Sequence, residues 1–102
     1  MKNKKLLNYS DYLQLEKILS GQELMSAKRG TPAHDEMLFI IVHQVYELWF
    51  KQILHELDSV ITIFKKESII ESEISFVVLR LQRIIEIQKI LIDQIRVLET
   101  MT

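Results

Sequence analysis

The stretch Phe39-Ile40-Ile41-Val42-His43-Gln44-Val45-Tyr46-Glu47-Leu48-Trp49-Phe50-Lys51-Gln52-Ile53-Leu54-His55-Glu56-Leu57 decides the fold. Phe39, Val42, Tyr46, Trp49, Ile53 and Leu57, continued by Val60 and Phe64, recur every three or four residues, the period of one helix face. No glycine or proline follows Pro32, so nothing in the chain interrupts such a helix. The spacing predicts a helix from about Pro32 to Phe64 or Lys65. Thr31-Pro32 is a start signal, Asp35 and Glu36 suit the positive end of the helix dipole, and Lys65 and Lys66 suit the negative end.

Toward the carboxyl end, a turn near Glu67 and Ser68 leads into a third helix. Ile70, Ile74, Val77, Leu81, Ile84, Gln88, Leu91, Ile95 and Leu98 step alternately by four and three, a heptad seam with Gln88 as its polar intruder. Val78, Ile85 and Ile92 widen the apolar face beyond a two-stranded seam, so this helix expects more than one neighbour. Toward the amino end, a short helix is expected from Ser10 to Ser20, with Ser10 as N-cap, Gly21 just past its end, and Tyr12, Leu15, Ile18 and Leu19 at helical spacing. A loop, Gly21 to Thr31, follows. The fold class is therefore all-α: a short N-terminal helix followed by a long antiparallel helical hairpin, part of a larger helical bundle.

Each long helix, at ~1.5 Å per residue, spans roughly 45 Å, and the short turn makes the two antiparallel. The run Met37 to Val42 is apolar on every side, which a hairpin alone cannot bury, so other subunits or further chain must cover it. The end, Val97-Leu98-Glu99-Thr100-Met101-Thr102, carries no glycine or proline to stop the helix, and the sequence reads as part of a longer chain. Residues 1–102 are expected to form a single segment with no internal boundary, repeat or linker.

Composition narrows the function. The 102 residues are 48% hydrophobic and carry 13 basic against 14 acidic side chains, interspersed, so no face seeks phosphates and nucleic acid is not an expected partner. With no cysteine, disulfides, thiolate metal sites and cysteine nucleophiles are excluded. Met1 to Lys5 begins like a leader peptide, but Asn8, Ser10 and Asp11 interrupt the stretch that would have to be apolar. Met37 to Val42 is far short of the ~20 residues that span a membrane. A cytoplasmic protein with no membrane partner is expected.

The candidates for chemistry are the 3 histidines and their neighbours. His34 lies in a helix start and His55 opposite the apolar stripe, both as surface residues. His43 sits one turn after Phe39, one turn before Glu47, and near the Tyr46 and Phe50 side of the helix. It reads either as a satisfied core histidine or as a donor and acceptor facing a small molecule or bound oxygen. Neither Glu-x-x-His nor His-Glu-x-x-His occurs, so metal ligation by this chain, or a di-iron bundle, has little support. Tyr46, Trp49, Phe50 and Phe64 read as core packing. Tyr9 and Tyr12, three apart on one face, either pack or close a pocket.

The segment from His34 through Asp58, spanning the opening stretch, resembles the signature of the tryptophan 2,3-dioxygenase family. Tyr9-Ser10-Asp11-Tyr12-Leu13-Gln14-Leu15 and Val97-Leu98-Glu99-Thr100-Met101-Thr102 extend the resemblance over residues 9–102. It implies an all-helical, cytosolic, homotetrameric enzyme with haem b that inserts both atoms of O2 into L-tryptophan, giving N-formylkynurenine for the kynurenine route. It further implies that Phe39, Ile40, Ile41, Val42 and His43 line the distal side of the haem, with no metal ligand in this chain. His43 would be the catalytic residue that meets the indole N–H, Phe39 would pack on the indole ring, and Tyr9, Tyr12 and Leu13 would reach over substrate in a neighbouring subunit. The family's proximal histidine, and the Tyr and Arg that hold the substrate carboxylate, are expected beyond Thr102, so these residues alone are expected to be inactive. The rival reading is a non-catalytic helical oligomerisation module with His43 in its core.

Overall fold

A computed structural model describes residues 8–102; Met1 to Lys5, weighed above as a leader start, lie outside the described residues. The described chain is all-α: α1 (Tyr9–Leu13), α2 (Leu15–Leu19), α3 (Met25–Lys28), α4 (Glu36–Phe64) and α5 (Glu71–Leu98). It forms two compact units, one ending at Met37 and one covering Leu38–Thr102.

In the first unit the expected Ser10–Ser20 helix is broken in two. Gln14 takes a left-handed conformation (φ 54°, ψ 44°) that ends α1 and begins α2. That conformation is one L residues rarely adopt, and it breaks the backbone ladder. Asn8, not Ser10, caps α1: its Oδ1 accepts the Asp11 N–H at 2.8 Å. The expected loop contains α3, and the left-handed glycine is Gly30 (φ 82°) rather than Gly21. Gly30 N–H bonds the Ala27 carbonyl at 3.0 Å and Thr31 N–H the Ser26 carbonyl at 3.1 Å, the paired bonds of a Schellman end.

The long helix starts at Glu36, four residues later than Pro32 (36 against 32), where the Ala33 N–H and the Glu36 carboxylate bond back to Met25 and Ser26. Ser26 Oγ accepts the Ala33 N–H at 2.9 Å and itself donates to the Glu36 carboxylate. That carboxylate also accepts the Met25 N–H at 2.9 Å and the Ser26 N–H at 3.0 Å. The Ser26 hydroxyl first, then the Ser26 amide, holds the Glu36 carboxyl below the usual carboxylate range.

The second unit is the expected hairpin. Tyr46 meets Leu91 and Glu56 meets Arg83, so partner numbers fall along α5 as they rise along α4 and the helices are antiparallel. Val42, Val60, Ile63, Val77, Ile84 and Ile87 are buried, and Val60, Ile63 and Val77 form a cluster under the turn, flanked by Ile69. Glu73 accepts the Ile70 N–H at 3.2 Å and pairs with Lys66, fastening the start of α5.

The seam of α5 differs from the one expected. The column Val77, Ile84, Leu91 and Leu98 does turn inward, but its companions are Glu73, Arg80, Ile87 and Gln94. Ile74, Leu81, Gln88 and Ile95 are exposed instead, as are Val78, Ile85 and Ile92. On α4, Phe39, Phe50 and Phe64 are likewise exposed, which removes Phe50 and Phe64 from the core assigned to them, while Tyr46 and Trp49 are half-buried. Helical drift explains the ends of α4, since 3.6 residues per turn does not keep a strict three-four stripe on one side over eight turns, whereas on α5 the whole seam is offset by one column.

Candidate functional site

On the second unit, α4 and α5 leave an open groove of about 350 Å³ between them, lined by His43, Tyr46, Glu47 and Phe50 on one side and Leu91, Ile92 and Ile95 on the other. The α4 residues share a wall because 43, 46, 47 and 50 are the i, i+3, i+4 and i+7 positions of one helix face. The α5 residues meet it because 91, 92 and 95 fall on the corresponding side of the antiparallel partner.

His43 is exposed, not a core residue, and its ring is held by its own helix. Nδ1 lies 2.7 Å from the Phe39 carbonyl oxygen. A carbonyl only accepts, so Nδ1 carries the proton, and in the neutral ring Nε2 is left as the acceptor. The Phe39 ring packs on the imidazole, centroids 4.3 Å apart and planes 37° apart, which limits rotation further. The site therefore presents one oriented hydrogen-bond acceptor beside apolar surface.

Tyr46, one turn on, donates its hydroxyl to the Leu91 carbonyl at 2.7 Å and stacks on Phe50 with ring centroids 6.1 Å apart. Glu47 stands at the groove's rim. Of the other expected residues, Val42 is buried, Ile40 is half-buried and Ile41 is exposed, since consecutive helical positions fan around the axis. Tyr9, Tyr12 and Leu13 belong to the first unit, the two tyrosines 74% and 70% exposed with both rings open to solvent. His34 and His55 are exposed, as expected of surface residues. Among the described residues no group of three His, Cys, Asp or Glu side chains can hold a metal, and no helix is long and apolar enough to cross a membrane.

The α5 wall was not singled out from the sequence. Leu91 and Ile95 read there as seam positions and Ile92 as part of a wider stripe. Only the observed inward column shows that Ile92 and Ile95 border an opening.

An apolar groove between two antiparallel helices, with a ring-held imidazole and a carboxylate among its ionisable groups, defines a class: all-helical proteins with a mostly apolar interhelical groove that carries few polar groups. Comparison with known proteins narrows the class. The sequence pattern described as tryptophan 2,3-dioxygenase matches residues 2–102. The tryptophan 2,3-dioxygenase of Alteromonas mediterranea is 63% identical over 94 residues, covering 92% of this chain and 26% of that protein. Those of Bdellovibrio bacteriovorus and Dictyostelium discoideum are 56% and 55% identical, covering 94% and 92% of this chain and 27% and 24% of theirs. The chain belongs to the tryptophan 2,3-dioxygenase family, and it spans about a quarter of the length of these relatives.

Proposed function

We propose that this chain forms the distal wall of a haem-dependent dioxygenase that converts L-tryptophan and O2 to N-formylkynurenine, the first step of the kynurenine route, within a cytoplasmic homotetramer. The observation that carries the reading is the His43 imidazole, fixed through Nδ1 by the Phe39 carbonyl and covered on one face by the Phe39 ring. Nε2 is then the acceptor that an indole N–H needs.

The apolar wall that carries His43 would face the distal side of haem b with the indole in between, and His43 is read as a distal neighbour rather than an iron ligand because the family resemblance implies that the iron's histidine lies beyond Thr102. When bound, haem supplies the iron that binds and activates dioxygen, its protein ligand coming from outside these residues. Phe39 packs against the indole, Ile40 and Ile41 extend the apolar wall, and Val42, being buried, supports it from within the hairpin. His43 orients the indole and holds its N–H, while the apolar lining limits competing water. Tyr9, Tyr12 and Leu13, exposed on α1, are available to close over substrate in a neighbouring subunit.

A chimaera tests this, with residues 9–102 replacing the matching segment of the Alteromonas mediterranea enzyme. It should bind haem and oxidise L-tryptophan. His43→Ala in it should keep haem while lowering turnover roughly tenfold to a hundredfold, since a lost hydrogen bond to a positioned group costs on the order of 1–3 kcal/mol. With 1-methyl-L-tryptophan, which has no indole N–H, the wild-type advantage should shrink or reverse. Loss of haem on His43→Ala would make His43 an iron ligand or a folding determinant. Equal losses on both substrates would remove its role toward the N–H.

A further inference from the structure

Tyr46 lies in the groove and hydrogen-bonds from one helix to the other. Its ring lies on α4 one turn from His43, and its hydroxyl donates to the Leu91 carbonyl of α5 at 2.7 Å. In a helix interior the Leu91 carbonyl already serves the ladder toward Ile95, so Tyr46 adds a second donor to that oxygen rather than rescuing an orphan. What the bond adds is a fixed separation between the wall that carries His43 and the wall formed by Leu91, Ile92 and Ile95. Farther down the hairpin that separation is set by buried Val60, Ile63 and Val77, but around the groove Ile92 and Ile95 are exposed. The Tyr46 ring is itself held by stacking on Phe50, so the hydroxyl is aimed as well as tethered.

We propose that Tyr46 is a positioning residue, setting the width of the groove and hence the fit of the indole between the His43 wall and the Leu91 wall. The inference rests on the groove being a substrate wall, as read above. The bond acts on ground-state and transition-state binding alike, because it shapes the groove without touching the reacting atoms. Its loss therefore raises KM and leaves kcat near its starting value.

Tyr46→Phe keeps the ring, the stacking and the fold, and removes only the tether. Two measurements test it. In the chimaera, amide hydrogen exchange should quicken by about tenfold at Ile92 to Ile95, with the Val60 and Val77 region unchanged. In the chimaera, KM for L-tryptophan should rise roughly threefold to tenfold, with kcat within about twofold and haem content unchanged. Both changes together support the proposal. Unchanged KM, unchanged local exchange, or a fall in haem content and kcat with KM constant, the pattern of a purely structural loss, each overturns it. His43→Ala in the same chimaera separates the two claims: if it leaves turnover untouched, the substrate-wall reading fails whatever Tyr46→Phe does.

Discussion

Glu56 is the buried charged side chain among the described residues, 4% exposed in the middle of the hairpin. Burial pushes its carboxyl up, but hydrogen bonds from Arg83 at 3.1 Å and Gln52 at 2.7 Å, with the Arg83 and His55 charges, outweigh burial and hold it below the usual range. The Lys66 ammonium, then the Ile70 amide, does the same for Glu73. A carboxylate whose folded pKa is depressed binds its proton less tightly folded than unfolded. Its stabilisation is thus complete above the unfolded value of about 4.3 and fades as pH falls through the lower, folded one. Helicity followed by circular dichroism should accordingly hold steady down to about pH 5 and weaken below about pH 4, and Glu56→Gln should flatten that acid limb. An unchanged limb would show that Glu56 is not linked to folding. Arg83→Met should cost about 1–2 kcal/mol at neutral pH, less than the ~3–5 of a fully buried pair, because Arg83 is half-exposed and Gln52 still donates. The sequence placed neither partner: Glu56 and Arg83 are 27 residues apart and look like two ordinary surface charges until the register of the hairpin is known.

At the scale of the element, α5 shows where sequence patterning stops being informative. Its apolar residues fill three neighbouring columns with that of Val77 at one edge, so the Val77 column can make a heptad seam with the Ile74 column on one side or the Glu73 column on the other; which one turns inward depends on where α4 lies, which periodicity does not encode. The column Val77, Ile84, Leu91, Leu98 belongs to every choice and was legible. Hydrophobicity alone points to Ile74, Leu81, Gln88 and Ile95 as its partner, whereas the hairpin uses Glu73, Arg80, Ile87 and Gln94, of which Glu73 both caps and pairs. The same ambiguity hid the second wall of the groove, while His43 and Phe39 were legible because both lie on one helix at i, i+4. Two isoleucines test the assignment. Ile84→Ala should destabilise by about 2–4 kcal/mol through a cavity, and Ile74→Ala by less than about 1 kcal/mol, since Ile74 is 41% exposed. Denaturant midpoints read the difference directly; comparable costs at both sites would mean that α5 is rotated from the orientation described.

For the whole chain, the exposed apolar surface is the dominant physical fact. Val78, Ile85 and Ile92, spaced by seven, are 49%, 51% and 66% exposed, and Ile74, Leu81 and Ile95 extend the same side of α5. On α4, Phe39, Ile41, Leu48 and Leu54 are also exposed. A monomer rarely leaves a contiguous apolar patch larger than a few hundred Å² in water, and the net charge of −1 supplies almost no repulsion between copies. The 102-residue chain in isolation should therefore self-associate while remaining helical. Sedimentation at micromolar concentration checks this, and a stable helical monomer would refute it. Val78→Lys with Ile85→Lys supplies the control: both side chains lie outside the buried set, so helicity should survive. Each lysine places a charge that must be desolvated for another copy to cover α5, so the distribution should shift toward monomer, and more so at low salt, where the added charges repel over a longer distance. If the double variant associates as strongly as the parent, α5 is not the face that drives assembly, and the exposed side of α4 is the place to put the next charge.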